Sequence, residues 1–419
     1  MKASESIEKY PARVREYTNY TIKSVKNVCK LCGPRPVGSE SDAKAVEYFK
    51  ADAEKFCDEA RTESFKVSDK AFMSWVPIGA ALLILSSLFY AFGMAAVTLA
   101  LTVLTLFFIV FEFVLYLPVL DVFFKKKETS NVIGVRKASG EVKRKIIFSG
   151  HTDSAFEWTY TYLGGRPAVA TIIVSAVVGI VANIAGCVTA FVKGEVFDVS
   201  FVITGGDTVL MIFSIVLLTL IPFYIAALFF CNYKRPVTGA NDNLTGSFIA
   251  LAVAKFLSDN DIRFENTEVE VLLAAGEEAG LRGSTAYAKA HADEIKNSGV
   301  QTVFVAIDTI RDFEFMTIFD KDMNGLVKND KRVVELIKQG AVNAGYDNIS
   351  VETISLGSTD AAAMSKAGIP SASFVAMDPS PARYYHTRLD TEDNLVPKTI
   401  EAGVKIALET AFLFDEKGI

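Results

Sequence analysis

The sequence predicts an α/β fold, a mostly parallel sheet flanked by helices, interrupted by two inserted transmembrane helical hairpins that make four spans. Three observations predict it. Apolar residues gather in long runs without a charge, the polar remainder alternates short β-branched runs with helix-like segments, and a set of histidines and acids stands at the ends of those runs. With 51% hydrophobic residues among 419 and a positive mean hydropathy, the chain is more apolar than a soluble fold requires.

In chain order, residues 1–70 open with two amphipathic segments, Val14 to Leu31 and Ser41 to Asp58, and a strand at Thr62 to Val67. The first insertion, 71–124, holds the uncharged run Ala71 to Phe111. It breaks near Ala91-Phe92-Gly93-Met94, giving one span from about Phe72 and another ending near Leu120. In 125–165, Asn131 to Val135 and Lys145 to Ser149 are β-branched runs around a Gly-containing turn, as in a hairpin leading to an interior strand. The second insertion, 166–234, carries the uncharged runs Ala168 to Val192 and Thr208 to Tyr233. From 235 to 419, Leu244 to Leu257 reads as helix, Val269 to Ala275 as strand, Ser284 to Lys296 as helix and Thr302 to Ile307 as strand. Residues 1–70, 125–165 and 235–419 thus form one discontinuous domain, and strands alternating with helices place its chemistry at the carboxyl ends of the strands.

A bilayer core about 30 Å thick needs about 20 residues of helix, so the apolar runs supply four spans. Glu112 is an acid within the second and is expected near an interface. Lys66, Lys70, Lys125 to Lys127, Arg166, Lys234 and Arg235 flank the spans on one side, whereas the far-side loop from Lys193 to Asp207 has Glu195, Asp198 and Asp207. Positive residues mark the cytoplasmic end, so the polar segments are expected in the cytoplasm and the chain in the cell membrane as a multi-pass protein. The charged N-terminal stretch gives no sign of a cleavable signal peptide. Five cysteines, with Cys29 and Cys32 at helical spacing, do not make a disulfide framework or a complete structural zinc site. A net charge of -6 without a basic cluster beyond the span flanks gives no reason to invoke nucleic acid. The oligomeric state is not legible.

Five segments place a metal-competent side chain at or just past an apolar strand: His151-Thr152-Asp153, Asn241-Asp242-Asn243, Gly276-Glu277-Glu278, Asp308, and Tyr385-His386-Thr387. Taken singly, each has a plain alternative. Asp242 can cap a helix, Glu277 and Glu278 can form an acidic first turn, and a single histidine can be a hydrogen-bonded half-buried residue. Taken together they make a ligand set of imidazole and carboxylate suited to zinc.

The order His-x-Asp, Asp-Asn, Glu-Glu, Asp, His, with Gly33-Pro34-Arg35-Pro36-Val37-Gly38-Ser39 ahead of it, resembles the M28 family of co-catalytic zinc peptidases, mostly aminopeptidases. Gly239 to Asn243, Gly276 to Ser284 and His386 to Thr391 are similar to that family's most specific segments. The resemblance implies a zinc-dependent exopeptidase-like fold, a peptide substrate and two Zn2+ ions. One ion would be held by His151 and Asp308, the other by Glu278 and His386, with Asp242 bridging. Glu277 would be the general base, Asp153 would orient His151, and Tyr385 would hydrogen-bond the oxyanion. Gly357 to Asp360 resembles a loop lining the family's substrate pocket, although Ser358 or Asp360 equally suits a helix cap. His291 matches nothing and is expected on the surface.

The inserted hairpins depart from the ordinary family pattern. They either anchor the domain in a lipid bilayer or favour membrane-associated or apolar peptides. Arg311, Arg383 and Arg388 lie near ligands in sequence and offer a carboxypeptidase or amidase alternative, since guanidinium recognises carboxylate in bidentate fashion. A non-catalytic membrane scaffold would be expected to lose ligands or the base, and all six positions are filled.

Overall fold

A computed structural model describes residues 1–197 and 206–419. Asp198 of the far-side loop lies outside the described residues. The chain divides into a first unit of Met1–Asp69, Lys126–Ala155 and Pro236–Ile419, and a second of Lys70–Lys125 and Phe156–Arg235.

Numbered in chain order, the helices are α1 (Tyr10–Cys32), α2 (Glu40–Ala53), α3 (Trp75–Ala91), α4 (Ala95–Phe108), α5 (Thr159–Val192), α6 (Thr208–Ala227), α7 (Gly246–Asp259), α8 (Arg282–Asn297), α9 (Lys331–Asn343), α10 (Asp360–Lys366) and α11 (Pro397–Lys417). The strands are β1 (Glu59–Val67), β2 (Lys127–Arg136), β3 (Arg144–His151), β4 (Phe156–Trp158), β5 (Cys231–Pro236), β6 (Thr267–Ala274), β7 (Gln301–Ile310), β8 (Met316–Asp322), β9 (Val327–Lys328), β10 (Ser350–Thr353) and β11 (Ser371–Ala376).

In the first unit the sheet runs β1-β2-β6-β3-β7-β11-β8-β10, with β9 paired to β8. Its centre, β6-β3-β7-β11, is parallel. β1, β2 and β8 join it antiparallel. The hairpin expected between the runs at 131–135 and 145–149 does not form, because β6 enters between β2 and β3 and pairs with both. The reason lies in the turn between the two runs. Its backbone bonds to the lead-in of β6, Ser139 N–H to Phe264 C=O at 2.9 Å and Gly140 N–H to Glu265 C=O at 2.8 Å. β6 itself carries Val269, Val271, Leu272 and Leu273, all buried, so it is stable only with a partner on each edge.

Apolar side chains along α7 are buried around the helix, which packs on β3 and β7 and is covered by α1 and α11. Phe256 meets Tyr17 edge-on at 5.2 Å and Phe248 stacks on Phe49 at 4.9 Å. Such a helix needs no amphipathic stripe and anchors the loop that precedes it. Cys29 and Cys32 sit on α1, and all five cysteines are free thiols.

The second unit contains four helices long and apolar enough to cross a membrane: Phe72–Ala91, Ala95–Val114, Thr159–Val192 and Thr208–Ala227. The break between the first two falls at Phe92, Gly93 and Met94. Their interior sets polar pairs among apolar clusters such as Tyr90, Cys187, Leu210 and Leu217. Ser86 Oγ lies 2.9 Å from Thr102 Oγ1 and donates to Asn183 Oδ1 at 3.2 Å, bonds that fix helix register where apolar packing alone would not. Gly179 lets α5 approach α6, since a Cβ there would fall 1.6 Å from the Tyr224 hydroxyl. Glu112 is buried in the protein, in a π-helical turn over Ile109–Val114, and accepts the backbone N–H of Leu120 at 2.9 Å. This unit takes up the chain again at Phe156 rather than at 166, because β4 and β5 pair as a two-stranded ribbon at the base of α5 and α6.

Candidate metal centre

β3 is buried through Ile146, Ile147 and Phe148 and delivers His151 as its last residue. Asp242 lies in the turn between β5 and α7, with φ -110° and ψ 90°, and its peptide to Asn243 is cis. Glu277 and Glu278 occupy the turn between β6 and α8, Asp308 belongs to β7, and His386 sits in the loop before α11 with a left-handed φ of 52°. All five segments therefore converge at the carboxyl end of the parallel strands, as expected for this architecture.

Asp242 is the centre of the arrangement. Its Oδ1 lies 3.1 Å from His151 Nε2 and its Oδ2 lies 3.1 Å from His386 Nε2. Asp308 Oδ1 is 4.0 Å from His151 Nε2, and Glu278 Oε2 is 3.2 Å from His386 Nε2. Two groups of donors thus share one carboxylate: His151 with Asp308, and His386 with Glu278. Ligand atoms of His151, Asp242 and Glu278 all lie within 4.8 Å of one another. Glu277 stands beside this set, with Oε2 3.8 Å from His151 Nε2. The Tyr385 ring stacks on His386 at 3.9 Å.

Buried acids outside the ligand set hold these loops. Asp153 takes the N–H groups of Glu277 and Glu278 and approaches His151 Nδ1 at 3.5 Å. Asp390 accepts from the backbone N–H of Asn241 at 2.8 Å, its side-chain amide at 2.7 Å, and the N–H of Asp242 at 3.0 Å. Asn243 ties the Asp242 turn to β7, donating to Ile307 C=O at 2.9 Å and accepting from Thr309 N–H at 3.2 Å. Arg35, fully buried, donates to the carbonyls of Gly33, Thr152, Thr238 and Gly239. Its role as a brace between the His151 and Asp242 loops is the reason for an arginine in the Gly33 to Ser39 segment.

The donor set suits zinc in both chemistry and electrostatics. Nitrogen and carboxylate oxygen are its ordinary ligands, and Glu278 Oε1 is buried with no hydrogen-bond partner among the described residues. Burial pushes the Asp308 carboxyl up to about 7 against the pull of His151. Burial also drives Glu277 well above the usual carboxylate range, with the Glu278 and Asp308 charges adding to it and His151 opposing. For His386 burial acts downward, but the Glu278 and Asp242 charges outweigh it and carry the imidazole up to about 10. Burial of so many acids and imidazoles together makes their charged forms costly, and a bound cation would offset that cost.

Residues 226–411 match the model of Peptidase family M28. That segment, which holds Asp242, Glu277, Glu278, Asp308 and His386, is similar to the family. The solved structures it resembles share the fold at low identity. A glutaminyl cyclase from an Acidobacteriales bacterium is 14% identical over 96% of each chain, with a TM-score of 0.55. The zinc aminopeptidase BSAP of Bacillus subtilis is 13% identical over 94% of each, with a TM-score of 0.55. A Zn-dependent exopeptidase from Parabacteroides distasonis is 14% identical over 94% of this chain and 97% of that one, with a TM-score of 0.53. No curated protein sequence matches.

His151, Asp153, Asp242, Glu277, Glu278, Asp308, Tyr385 and His386 all meet at one place. His291 is apart from them on α8, bonded to Glu63 at 2.8 Å. Arg311 is committed within the fold: it pairs with Asp312, donates to Asn394 and stacks its guanidinium 4.4 Å from the Tyr384 ring. The cap of α10 is Thr359, not Ser358 or Asp360. Sequence reasoning missed Asp390, Asn243 and Arg35, although each stands inside a segment that carried the family resemblance.

Proposed function

We propose that this chain is a membrane-embedded, two-zinc aminopeptidase that removes N-terminal residues from peptides. The observation that carries the reading is Asp242, which offers one carboxylate oxygen to each of two histidine-containing donor groups at 3.1 Å. His151 and Asp308 would hold one ion, His386 and Glu278 the other, and Asp242 both. Bound zinc supplies Lewis acidity, acidifying water and polarising the scissile carbonyl. Glu277, beside the ligands but outside their set, takes the proton of the attacking water and returns it to the leaving amine. Tyr385 donates its hydroxyl to the oxyanion, and Asp153 keeps His151 in the tautomer that leaves Nε2 free.

The four apolar helices would hold the chain in a lipid bilayer as a multi-pass protein, with the peptidase unit on the cytoplasmic side of the cell membrane. Four apolar helices of 20 residues or more and hydrogen bonds between polar side chains in their interior support that reading. The carboxypeptidase alternative loses Arg311, whose guanidinium already serves Asp312 and Asn394.

The test uses detergent-purified protein, depleted of metal and reloaded with zinc, beside Glu277→Gln. The substrates are free-amine peptides, N-acetylated peptides and a peptide with N-terminal glutamine. Zinc-dependent release of N-terminal residues from free-amine peptides only, at two zincs per chain and lost in the Gln variant with zinc retained, is expected. Cyclisation of the glutamine peptide without hydrolysis would replace this reading with a glutaminyl cyclase. Release from the carboxyl end of acetylated peptides would replace it with a carboxypeptidase. Full zinc occupancy with no turnover would leave a scaffold.

A further inference from the structure

His386 holds a backbone conformation that it would not keep unaided. Its φ of 52° lies in the left-handed region, which residues other than glycine seldom enter and keep only where their surroundings fix them. Its ring meets Asp242 Oδ2 and Glu278 Oε2, so whatever fixes this backbone sets one of the two donor groups. The chain arrives from Ala376, the last residue of β11, through the irregular segment 377–385. Nothing in that segment is stiff enough by itself to hold an imidazole in place.

Two residues outside the donor groups do the holding. Arg311 and Asp312 directly follow β7, the strand of Asp308, and their backbone N–H groups donate to Ala376 C=O at 3.0 and 2.6 Å. Asp312 Oδ2 then accepts the N–H of Asp378 at 2.9 Å and the hydroxyl of Tyr384 at 2.8 Å, so one oxygen joins the two ends of the loop. Burial raises the Tyr384 hydroxyl far above its usual range and the Asp312 charge adds to this, which keeps it a neutral donor. Asp312 Oδ1 pairs with Arg311, whose guanidinium lies 4.4 Å from the Tyr384 ring and donates to Asn394. Asn394 donates in turn to Leu389 C=O at 3.2 Å. The pair thus grips Tyr384 before His386 and, through Asn394, Leu389 after it. Between these grips Thr387 Oγ1 closes the turn, donating to Arg383 C=O at 2.7 Å and Tyr384 C=O at 3.0 Å.

We propose that the Arg311–Asp312 pair positions His386, fixing the loop that carries this imidazole against the strand that carries Asp308 and so setting the two donor groups relative to each other. The assignment rests on the two-zinc reading only for what those groups hold. A partly exposed ion pair ordinarily contributes little. Here both partners direct their remaining hydrogen bonds to the two sides of one ligand, and that convergence is what a plain surface pair lacks.

The test compares wild type with Asp312→Asn, which keeps the shape of the carboxylate, and with Tyr384→Phe, which removes only the hydroxyl and leaves a ring on Arg311. Zinc affinity is measured by titration against a competing chelator. The chain's three imidazoles are followed by NMR of metal-free, histidine-labelled protein. Each variant is expected to weaken one of the two zinc ions about 10- to 100-fold, as loss of a residue that orients a ligand does, and the other by less than about 3-fold. The His386 ring signals should shift or broaden while those of His151 and His291 stay in place. The double variant should lose about as much as Asp312→Asn alone, since both changes break one contact. Equal weakening of both ions, or wild-type affinities with unmoved His386 signals, would overturn the assignment. If Asp312→Asn does not fold, Tyr384→Phe carries the same comparison. If the wild type binds fewer than two zinc ions, the two-zinc reading fails, and the metal-free His386 signals still decide whether the pair positions this ring.

Discussion

Asp153 Oδ1 accepts the backbone N–H of Glu277 at 3.1 Å while its Oδ2 accepts that of Glu278 at 3.2 Å. One carboxylate thus sets the separation between the proposed base and a proposed ligand, and it also faces Nδ1 of His151 at 3.5 Å. Asp153→Ala is expected to weaken zinc binding about 10- to 100-fold and to lower turnover even at saturating zinc. Chelator titration followed by activity at full occupancy separates the two effects.

Zinc binding is expected to release protons at pH 7. The sign follows from the raised pKa values of the metal-free site: Asp308 at about 7 and His386 at about 10 hold protons there, and a ligand must shed them. Apparent zinc affinity therefore rises with pH through this range. Calorimetry in buffers of different ionisation enthalpy should give a positive number of protons released, larger at pH 6.5 than at pH 8.5.

Far from the metal centre, Arg263 donates to both oxygens of Asp58, at 2.7 and 2.8 Å, and holds the carboxyl down to about 2. A depressed folded pKa contributes stability that is present above the unfolded value and is lost as pH falls from about 4 to about 2. Because the pair is partly solvated, Arg263→Ala should cost about 1 kcal/mol at pH 7. Thermal melts of the two proteins should converge as pH falls to about 2.

Gly246 opens α7 directly under the Asp242 turn. A Cβ there would stand 2.0 Å from Ile307 C=O and 2.4 Å from Asn243 Oδ1. Gly246→Ala should force Asn243 off β7, cost about 3 kcal/mol or more, and lower zinc stoichiometry. A variant that melts like the wild type and binds zinc normally would contradict this coupling.

Much of this arrangement was legible in the sequence because its signals are local. Apolar length marked the four long helices, and the residues of the centre stood out as histidines and acids at strand ends. The place of β6 was not legible. Its neighbours are chosen by hydrogen bonds of the turn at 137–143 to residues 264–266, more than a hundred positions away, whereas sequence proximity favoured a hairpin of β2 and β3. Asp360 illustrates a second limit. Capping chemistry suited Ser358 or Asp360, whereas the cap is Thr359, whose hydroxyl bonds both Asp322 and the N–H of Ala361.

The order of β2, β6 and β3 in the sheet has a consequence for biogenesis. A ribosome delivers β1, β2 and β3 early, but the strand that joins β2 to β3 follows only after residues 156–235 have been made. Until then β2 has one unsatisfied edge and β3 two, and His151 is without Asp242, so the first unit cannot fold in segments as it emerges. Such long-range pairing is slow and leaves strand edges open to aggregation. Expression should therefore depend on general chaperones that shield the early strands, and zinc should be acquired only after synthesis has passed His386.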